Sequence, residues 1–167
     1  MIIKKLSKNF FINLSFILLI FLLDRISKIY VIYLDNKLLG SEIFSSKFLN
    51  INLIWNEGIA FGLFSFNENK LYNFLTIIIL IIIFLVLNMI SKSTGFKKYS
   101  LLLIFGGALG NVFDRIIYKA VPDFIDFHVG NFHWFIFNLA DVFISLGVIF
   151  MIIYELFLSN KKNHENI

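Results

Sequence analysis

The chain has 167 residues, of which 59% are hydrophobic, with a mean hydropathy of +0.84 and a formal net charge of +4. This apolar content exceeds that of a soluble globular domain, so water is not the main solvent of the fold. Its basic residues lie mostly beside apolar segments, which argues against a nucleic-acid-binding protein. The absence of cysteine excludes disulfides, thiol nucleophiles and cysteine-ligated metals.

Four apolar segments are long enough to cross a bilayer, whose hydrocarbon core of about 30 Å requires roughly 20 residues of helix. They lie near residues 10–33, 71–90, 99–117 and 137–158. The first could be taken for a removable signal peptide, but Asp24 and Arg25 follow its apolar core in place of a small-residue cleavage site. The sequence therefore predicts one integral membrane domain, residues 1–167, of the all-α class with four transmembrane helices.

Lysine clusters predict the orientation of these helices. They precede the first span, separate the second from the third, and follow the fourth: Lys4, Lys5 and Lys8; Lys92, Lys97 and Lys98; Lys161 and Lys162. An even number of spans places all three clusters on one side, and the positive-inside rule makes that side cytoplasmic. Both termini are therefore expected in the cytoplasm, with residues 34–70 and 118–136 on the outer face.

The two outer segments differ in pattern. Residues 34–70 are too long for a simple turn, and part of the stretch from Phe48 to Trp55 alternates polar and apolar residues as a half-buried strand does. A small β-rich segment is predicted there. The second outer segment mixes aromatic and polar residues, which predicts an interfacial flap with an aromatic belt, although an ordinary loop with anchoring aromatics fits equally well.

Polar side chains within the spans converge at one depth. With about 1.5 Å of rise per residue, all fall in the outer third of the membrane, and helical spacing sorts them by face: Asp24 with Lys28, Asn111 with Asp114 and Arg115, and Asn138 with Asp141. Ionisable groups in spans are costly, so each is a functional candidate. A buried structural network, with Arg115 paired to an aspartate, is the alternative for any one of them.

Carboxyl groups in the flap are the other part of this pattern. Asp123 and Asp126 lie close in depth to Asp141 at the start of the fourth span. Two neighbouring carboxyl groups share a proton, so one can deprotonate a water while the other donates to a peptide carbonyl. The dipole of the fourth helix favours Asp141 as the ionised member. A small transporter or proton relay is the alternative from another class, although it predicts acidic groups near midplane and paired half-repeats.

Four blocks together resemble the lipoprotein signal peptidase (signal peptidase II) family of bacterial membrane aspartic endopeptidases. The resemblance runs from Asp24 to Gly147, and its blocks are DRISK at 24–28, NEGIAFG at 56–62, GGALGNVFDR at 106–115 followed by VPDF at 121–124, and FNLAD at 137–141. Each block alone is weak or moderate. In this order on four predicted spans they are specific.

The resemblance implies the site residues. It assigns the catalytic aspartates to Asp123 and Asp141, not to Asp114, and leaves Asp126 secondary. The substrate-binding or supporting set that it implies is Asp24, Lys28, Asn56, Gly58, Asn111, Arg115, Asn138 and Ala140.

The resemblance also implies a substrate and a location. The substrate is a prolipoprotein whose cysteine carries diacylglycerol, cut on the amino side of that cysteine. The expected location is the bacterial cytoplasmic (inner) membrane, with the active site near the outer face, lipid as surroundings, and a monomer as the working unit. No metal or other cofactor is expected, since His128, His133 and His164 lack ligand spacing.

Overall fold

The structure is a computed structural model that describes residues 8–57 and 68–158. Four long helices and four short strands make up the described chain, in the order α1 (Lys8–Lys37), β1 (Phe44–Ser45), β2 (Leu49–Asn56), α2 (Glu68–Lys92), α3 (Gly95–Tyr118), β3 (Val121–Val129), β4 (Phe132–Phe137) and α4 (Leu139–Ile153), with a π-helical turn at Tyr154–Leu158. The predicted class, a four-helix membrane protein with a small extramembrane sheet, is confirmed.

Helix α3 is the centre of the bundle. It packs against α1, α2 and α4, and it is the most buried of the four, whereas the other helices expose most of their apolar surface. Exposed side chains such as Leu19, Ile81 and Ile149 point outward from α1, α2 and α4. All four helices are long and apolar enough to cross a membrane, so these side chains face lipid rather than water.

Glycines allow α3 and α4 to approach closely. A Cβ atom added to Gly107 would lie 2.6 Å from the carbonyl oxygen of Ala140, and one added to Gly147 would lie 2.7 Å from the carbonyl oxygen of Ser100. Such distances are shorter than any normal carbon–oxygen contact, so a side chain at either position would force the helices apart. Small residues at helix contacts are the usual means of close packing in membranes.

The four strands form one antiparallel sheet in the order β1-β2-β3-β4. The sequence predicted a β-rich segment and a separate flap, but the flap is the β3–β4 hairpin, which turns at Gly130 with φ of 60°. Strand β2 pairs with β3, so that Ile54 lies opposite Asp123 and Asn56 opposite Val121. The two outer segments therefore form a single sheet. Hydrogen bonds between β2 and β3 pair backbone N–H and C=O groups that would otherwise be left unpaired at the edge of a strand.

Candidate active site

Asp123 lies on β3, in the part of the sheet that is covered by the helices. Its side chain is 4% exposed, and both of its oxygens accept hydrogen bonds from amide side chains. Asn56, at the end of β2, donates its Nδ2 to Oδ2 across 2.8 Å, and Asn138, just before α4, donates its Nδ2 to Oδ1 across 2.7 Å. Three separate segments of the chain therefore fix this one carboxyl group.

Burial is the main influence on the ionisation of Asp123. Removal from water raises the pKa of its carboxyl group, whereas the hydrogen bonds from Asn56 and Asn138 lower that pKa. The charge of Asp141 raises the pKa further, and the charge of Lys28 lowers it. The net pKa of Asp123 is above the usual value for aspartate, and the charge of Asp141 is among the causes.

Asp141 lies in the first turn of α4, where a capping box holds it. Its Oδ2 accepts the backbone N–H of Asn138 across 3.0 Å, and its own backbone N–H donates to the Oδ1 of Asn138 across 3.2 Å. From α3, Asn111 donates its Nδ2 to the Oδ1 of Asp141 across 2.8 Å. These partners are donors at a helix N-terminus, an arrangement that suits an ionised carboxylate.

Asn138 joins the two aspartates. Its side chain is fully buried; the Nδ2 atom contacts Asp123 and the Oδ1 atom contacts the backbone of Asp141. One amide group thus spans from the sheet to the fourth helix. The predicted pair is brought together at the junction of these two elements, with one carboxyl group buried and the other half-buried.

A buried charge cluster lies directly beneath this pair and consists of Asp24, Arg25, Lys28 and Asp114. Lys28 forms ion pairs with Asp24 across 2.9 Å and with Asp114 across 2.7 Å, and it donates to the Oδ1 of Asn111 across 2.8 Å. Arg25 binds both oxygens of Asp114 and the Oδ2 of Asp24. Of the side chains that the sequence grouped by face on α1 and α3, Asp24, Lys28, Asn111 and Asp114 therefore form one network.

Other predicted residues have different positions. Ala140 is fully buried and donates its backbone N–H to the Oδ1 of Asp24 across 3.1 Å. Arg115 is half-buried and donates to the backbone oxygen of Asn111 within α3 across 3.2 Å; the cations that bind Asp114 are Arg25 and Lys28 instead. The suggested pairing of Arg115 with an aspartate in a buried network was therefore wrong. Gly58 lies outside the described residues.

Asp126 belongs to a separate polar group on the sheet. Its Oδ2 contacts the Nδ1 of His133 at 2.8 Å, and the ring of His133 stacks on that of His128. Asn50 also contacts this group, with its Oδ1 3.2 Å from the Nε2 of His128. Within residues 8–57 and 68–158, no group of three or more histidine, aspartate or glutamate side chains is arranged to hold a metal ion.

Arg25 is the member of the network that sequence reasoning missed. It is adjacent to Asp24 and therefore points in a different direction on an ideal helix, so spacing gave no reason to group them. The available signal was charge: the predicted set contained a buried Asp114 that needed a cation at the same depth.

An apolar groove opens beside Asp141. It has a volume of about 210 Å³ and lies between β4 and α4, lined by Phe135, Phe137, Asp141, Val142, Ser145 and Leu146. Aromatic side chains from the sheet form one wall, and the outward face of the fourth helix forms the other. A hydrocarbon chain placed in this groove would lie next to the carboxyl group of Asp141.

The sequence is similar to one family of known proteins over most of its length. The model of the signal peptidase (SPase) II family matches residues 16–157. The lipoprotein signal peptidase of Pelagibacter ubique (strain HTCC1062) is 49% identical over 158 residues, covering 95% of each chain, and that of Anaplasma phagocytophilum (strain HZ) is 42% identical over 136 residues, covering 80% of this chain and 85% of the relative.

Similarity extends to solved structures. A bacterial membrane enzyme whose structure was determined by the in meso method at 1.9 Å resolution has a TM-score of 0.72 and 30% sequence identity to this chain. The match covers 87% of this chain and 92% of that one. Both the sequence and the fold are therefore shared over nearly the whole length.

Proposed function

Because the chain belongs to the signal peptidase II family, we propose that it is an aspartic endopeptidase whose catalytic residues are Asp123 and Asp141. Family membership gives the reaction, which is the removal of signal peptides from prolipoproteins, and the alternative of a transporter or proton relay is not favoured. The observation that carries the aspartic mechanism is the contact of Asn138 with both aspartates.

The two aspartates have different roles in this mechanism. Asp141, which accepts hydrogen bonds from Asn138 and Asn111, is the ionised base that takes a proton from a water molecule. Burial raises the pKa of Asp123, which therefore holds the proton that it donates to the peptide carbonyl oxygen. Water adds to the carbonyl carbon and gives a tetrahedral diol. As the C–N bond breaks, Asp141 gives its newly acquired proton to the leaving nitrogen, and Asp123 takes a proton back from a diol hydroxyl as the carboxylic acid product forms.

The lipid on the substrate has a matching place. The family resemblance implies that the cleaved bond is on the amino side of a cysteine that carries diacylglycerol. We expect its acyl chains to lie in the groove beside Asp141, which is apolar and adjoins the carboxyl group. Acyl chains held there would keep the neighbouring peptide bond near the aspartates. Phe135 and Leu146, on opposite walls of the groove, are expected to contact these chains.

Orientation and assembly follow from the same proposal. We expect residues 1–167 to form a single integral domain in the inner membrane of a bacterium, working as a monomer without a metal or nucleic acid. Lys92, at the end of α2, and Lys97 and Lys98, in the first turn of α3, lie at the end of the bundle opposite the sheet, and the positive-inside rule makes this end cytoplasmic. Both termini are then cytoplasmic, and the aspartates lie near the outer face.

The decisive experiment compares two substrates. The purified full chain in detergent is incubated with a diacylated prolipoprotein and with its unlipidated form, and products are followed by mass spectrometry. We expect release of the signal peptide only from the lipidated form, and no release by the Asp123→Asn or Asp141→Asn variant. Equal cleavage of both substrates would overturn the lipid requirement, and full activity of either variant would overturn the assigned pair.

A further inference from the structure

Arg25 is held by both carboxylates of the buried charge cluster. Its Nη2 lies 2.8 Å from the Oδ2 of Asp24 and 2.7 Å from the Oδ2 of Asp114, and its Nη1 contacts the other oxygen of Asp114. The guanidinium group also lies 5.0 Å from the ring centre of Phe113. This is a fork-like binding of one carboxylate combined with a bridge to a second, which the ammonium group of a lysine would not reproduce because it lacks the planar fork of N–H donors.

The cluster is electrically balanced. Asp24 and Asp114 are both 0% exposed, and the two cations, Arg25 and Lys28, are 7% and 1% exposed. An unpaired charge at such depth is strongly disfavoured, so each carboxylate requires a cation. Loss of the Arg25 charge would leave Lys28 alone with two carboxylates.

Lys28 has no donor to spare for that task. Its ammonium group has three N–H bonds, and it contacts Asp24, Asp114 and the Oδ1 of Asn111. The contact with Asn111 determines which way that amide faces: with Oδ1 bound to Lys28, Nδ2 points toward Asp141 and donates to it across 2.8 Å. The orientation of Asn111 therefore depends on Lys28 keeping its third contact.

A second route connects the cluster to Asp141. The Oδ1 of Asp24 accepts the backbone N–H of Ala140, which immediately precedes Asp141 at the start of α4. The Oδ2 of Asp24 binds Arg25. Arg25 thus fixes one oxygen of this carboxylate while the other holds the first turn of the fourth helix.

We propose that Arg25 is a positioning residue for the hydrolytic reaction: its guanidinium group neutralises Asp114 and fixes Asp24, so that Lys28 and Asp24 can hold Asp141 through Asn111 and through the amide of Ala140. The inference rests on the proposed role of Asp141. Arg25 makes no contact with Asp123 or Asp141 among the described residues, and it acts through these intermediates.

The test uses the full chain in detergent with a diacylated prolipopeptide as the probe, and it measures kcat, KM and thermal unfolding. Arg25→Gln is expected to lower kcat by about 10- to 100-fold, the range for a slightly misplaced catalytic group, with KM changed by less than about threefold. Adding Asp114→Asn to Arg25→Gln restores charge balance and is expected to return kcat to within about threefold of the unaltered chain.

Lys97→Gln is the matched control. This substitution also removes an ion pair, the one between Lys97 and Glu155. It does so at the end of α3 that is far from the charge cluster, so kcat is expected to stay unchanged. If Arg25→Gln does not fold, the double variant decides: high kcat supports the proposal and low kcat in a folded protein overturns it. A folded Arg25→Gln variant with full kcat also overturns it. Activity of Asp141→Asn would instead contradict the catalytic pair itself.

Discussion

The side-chain amide of Asn138 donates to Asp123 across 2.7 Å, from the residue before the fourth helix to the middle of the sheet. The other end of the same amide accepts the backbone N–H of Asp141. An amide with both ends bound has one orientation, and it thereby sets the distance between a strand and a helix. The catalytic pair that we propose depends on this junction more than on either element alone.

Replacement of either aspartate by asparagine should slow cleavage severely while the protein remains folded. We expect Asp123→Asn and Asp141→Asn each to lower kcat/KM by about 10²- to 10⁴-fold, since each removes one half of acid–base catalysis. The double variant should be little worse than either single one, because residues that act as a unit are not additive. Product formation by mass spectrometry, with circular dichroism as the folding control, measures both effects. A loss of kcat/KM in the double variant as large as the product of the two single losses would contradict a shared step.

Asn138→Ala should reduce both stability and activity. It removes the cap of α4, which is worth about 1 kcal/mol of unfolding free energy, and it releases Asp123 from the fourth helix. Thermal unfolding and kcat/KM measure these two losses. Asn50→Ala is the matched control, because Asn50 is an asparagine of the sheet that contacts His128 rather than Asp123. Equal activity of the two variants would show that the junction does not matter for catalysis.

The dependence of activity on pH should change when the hydrogen bond from Asn56 to Asp123 is removed. This bond lowers the pKa of Asp123, so Asn56→Ala raises that pKa further above its usual value. If Asp123 must hold a proton, activity is lost as the pH rises through its pKa. The alkaline limb of kcat/KM should therefore move to higher pH in Asn56→Ala and stay in place in Asn50→Ala. A shift toward lower pH would exclude Asp123 as the proton donor.

Gly107→Ala should disturb the catalytic pair by steric contact alone. The new methyl group would lie 2.6 Å from the carbonyl oxygen of Ala140, one residue before Asp141. We expect destabilisation by about 1–3 kcal/mol, the usual cost of overpacking, together with reduced kcat. Ile116→Ala on the same helix, where the side chain is 57% exposed, should change neither. Thermal unfolding and steady-state kinetics measure the stability and the kcat of the two variants.

Filling the groove beside Asp141 should weaken binding of the lipidated substrate. Ser145→Phe places a ring between β4 and α4, and we expect KM for a diacylated substrate to rise by about 10-fold. Substrates with shorter acyl chains should be affected less. Ile149→Phe, one turn further along the exposed face of α4, is the control with unchanged KM. An equal rise in KM for every chain length would place the acyl chains elsewhere.

The parts of this fold that the sequence predicted are those with a local signal. Apolar length identified the four helices, and the spacing of Asp24 and Lys28 identified one polar face of α1. The pairing of β2 with β3 joins residues more than 60 positions apart, and it depends on where the packed helices place the two strands. The contact of Arg25 with Asp114 joins positions 89 apart, and it depends on the rotation of α1 against α3. Neither leaves a periodic pattern in the sequence.

The hydrogen bond from the backbone of Ala140 to Asp24 links the last helix to the first and has a consequence for biosynthesis. A nascent chain that has inserted three helices already carries the Asp24 carboxylate, but the amide that completes its environment has not yet entered the membrane. The proposed catalytic pair can form only after α4, which carries Asp141, has left the ribosome and joined the bundle. In the proposed mechanism, no cleavage is therefore expected before α4 has packed against the other three helices.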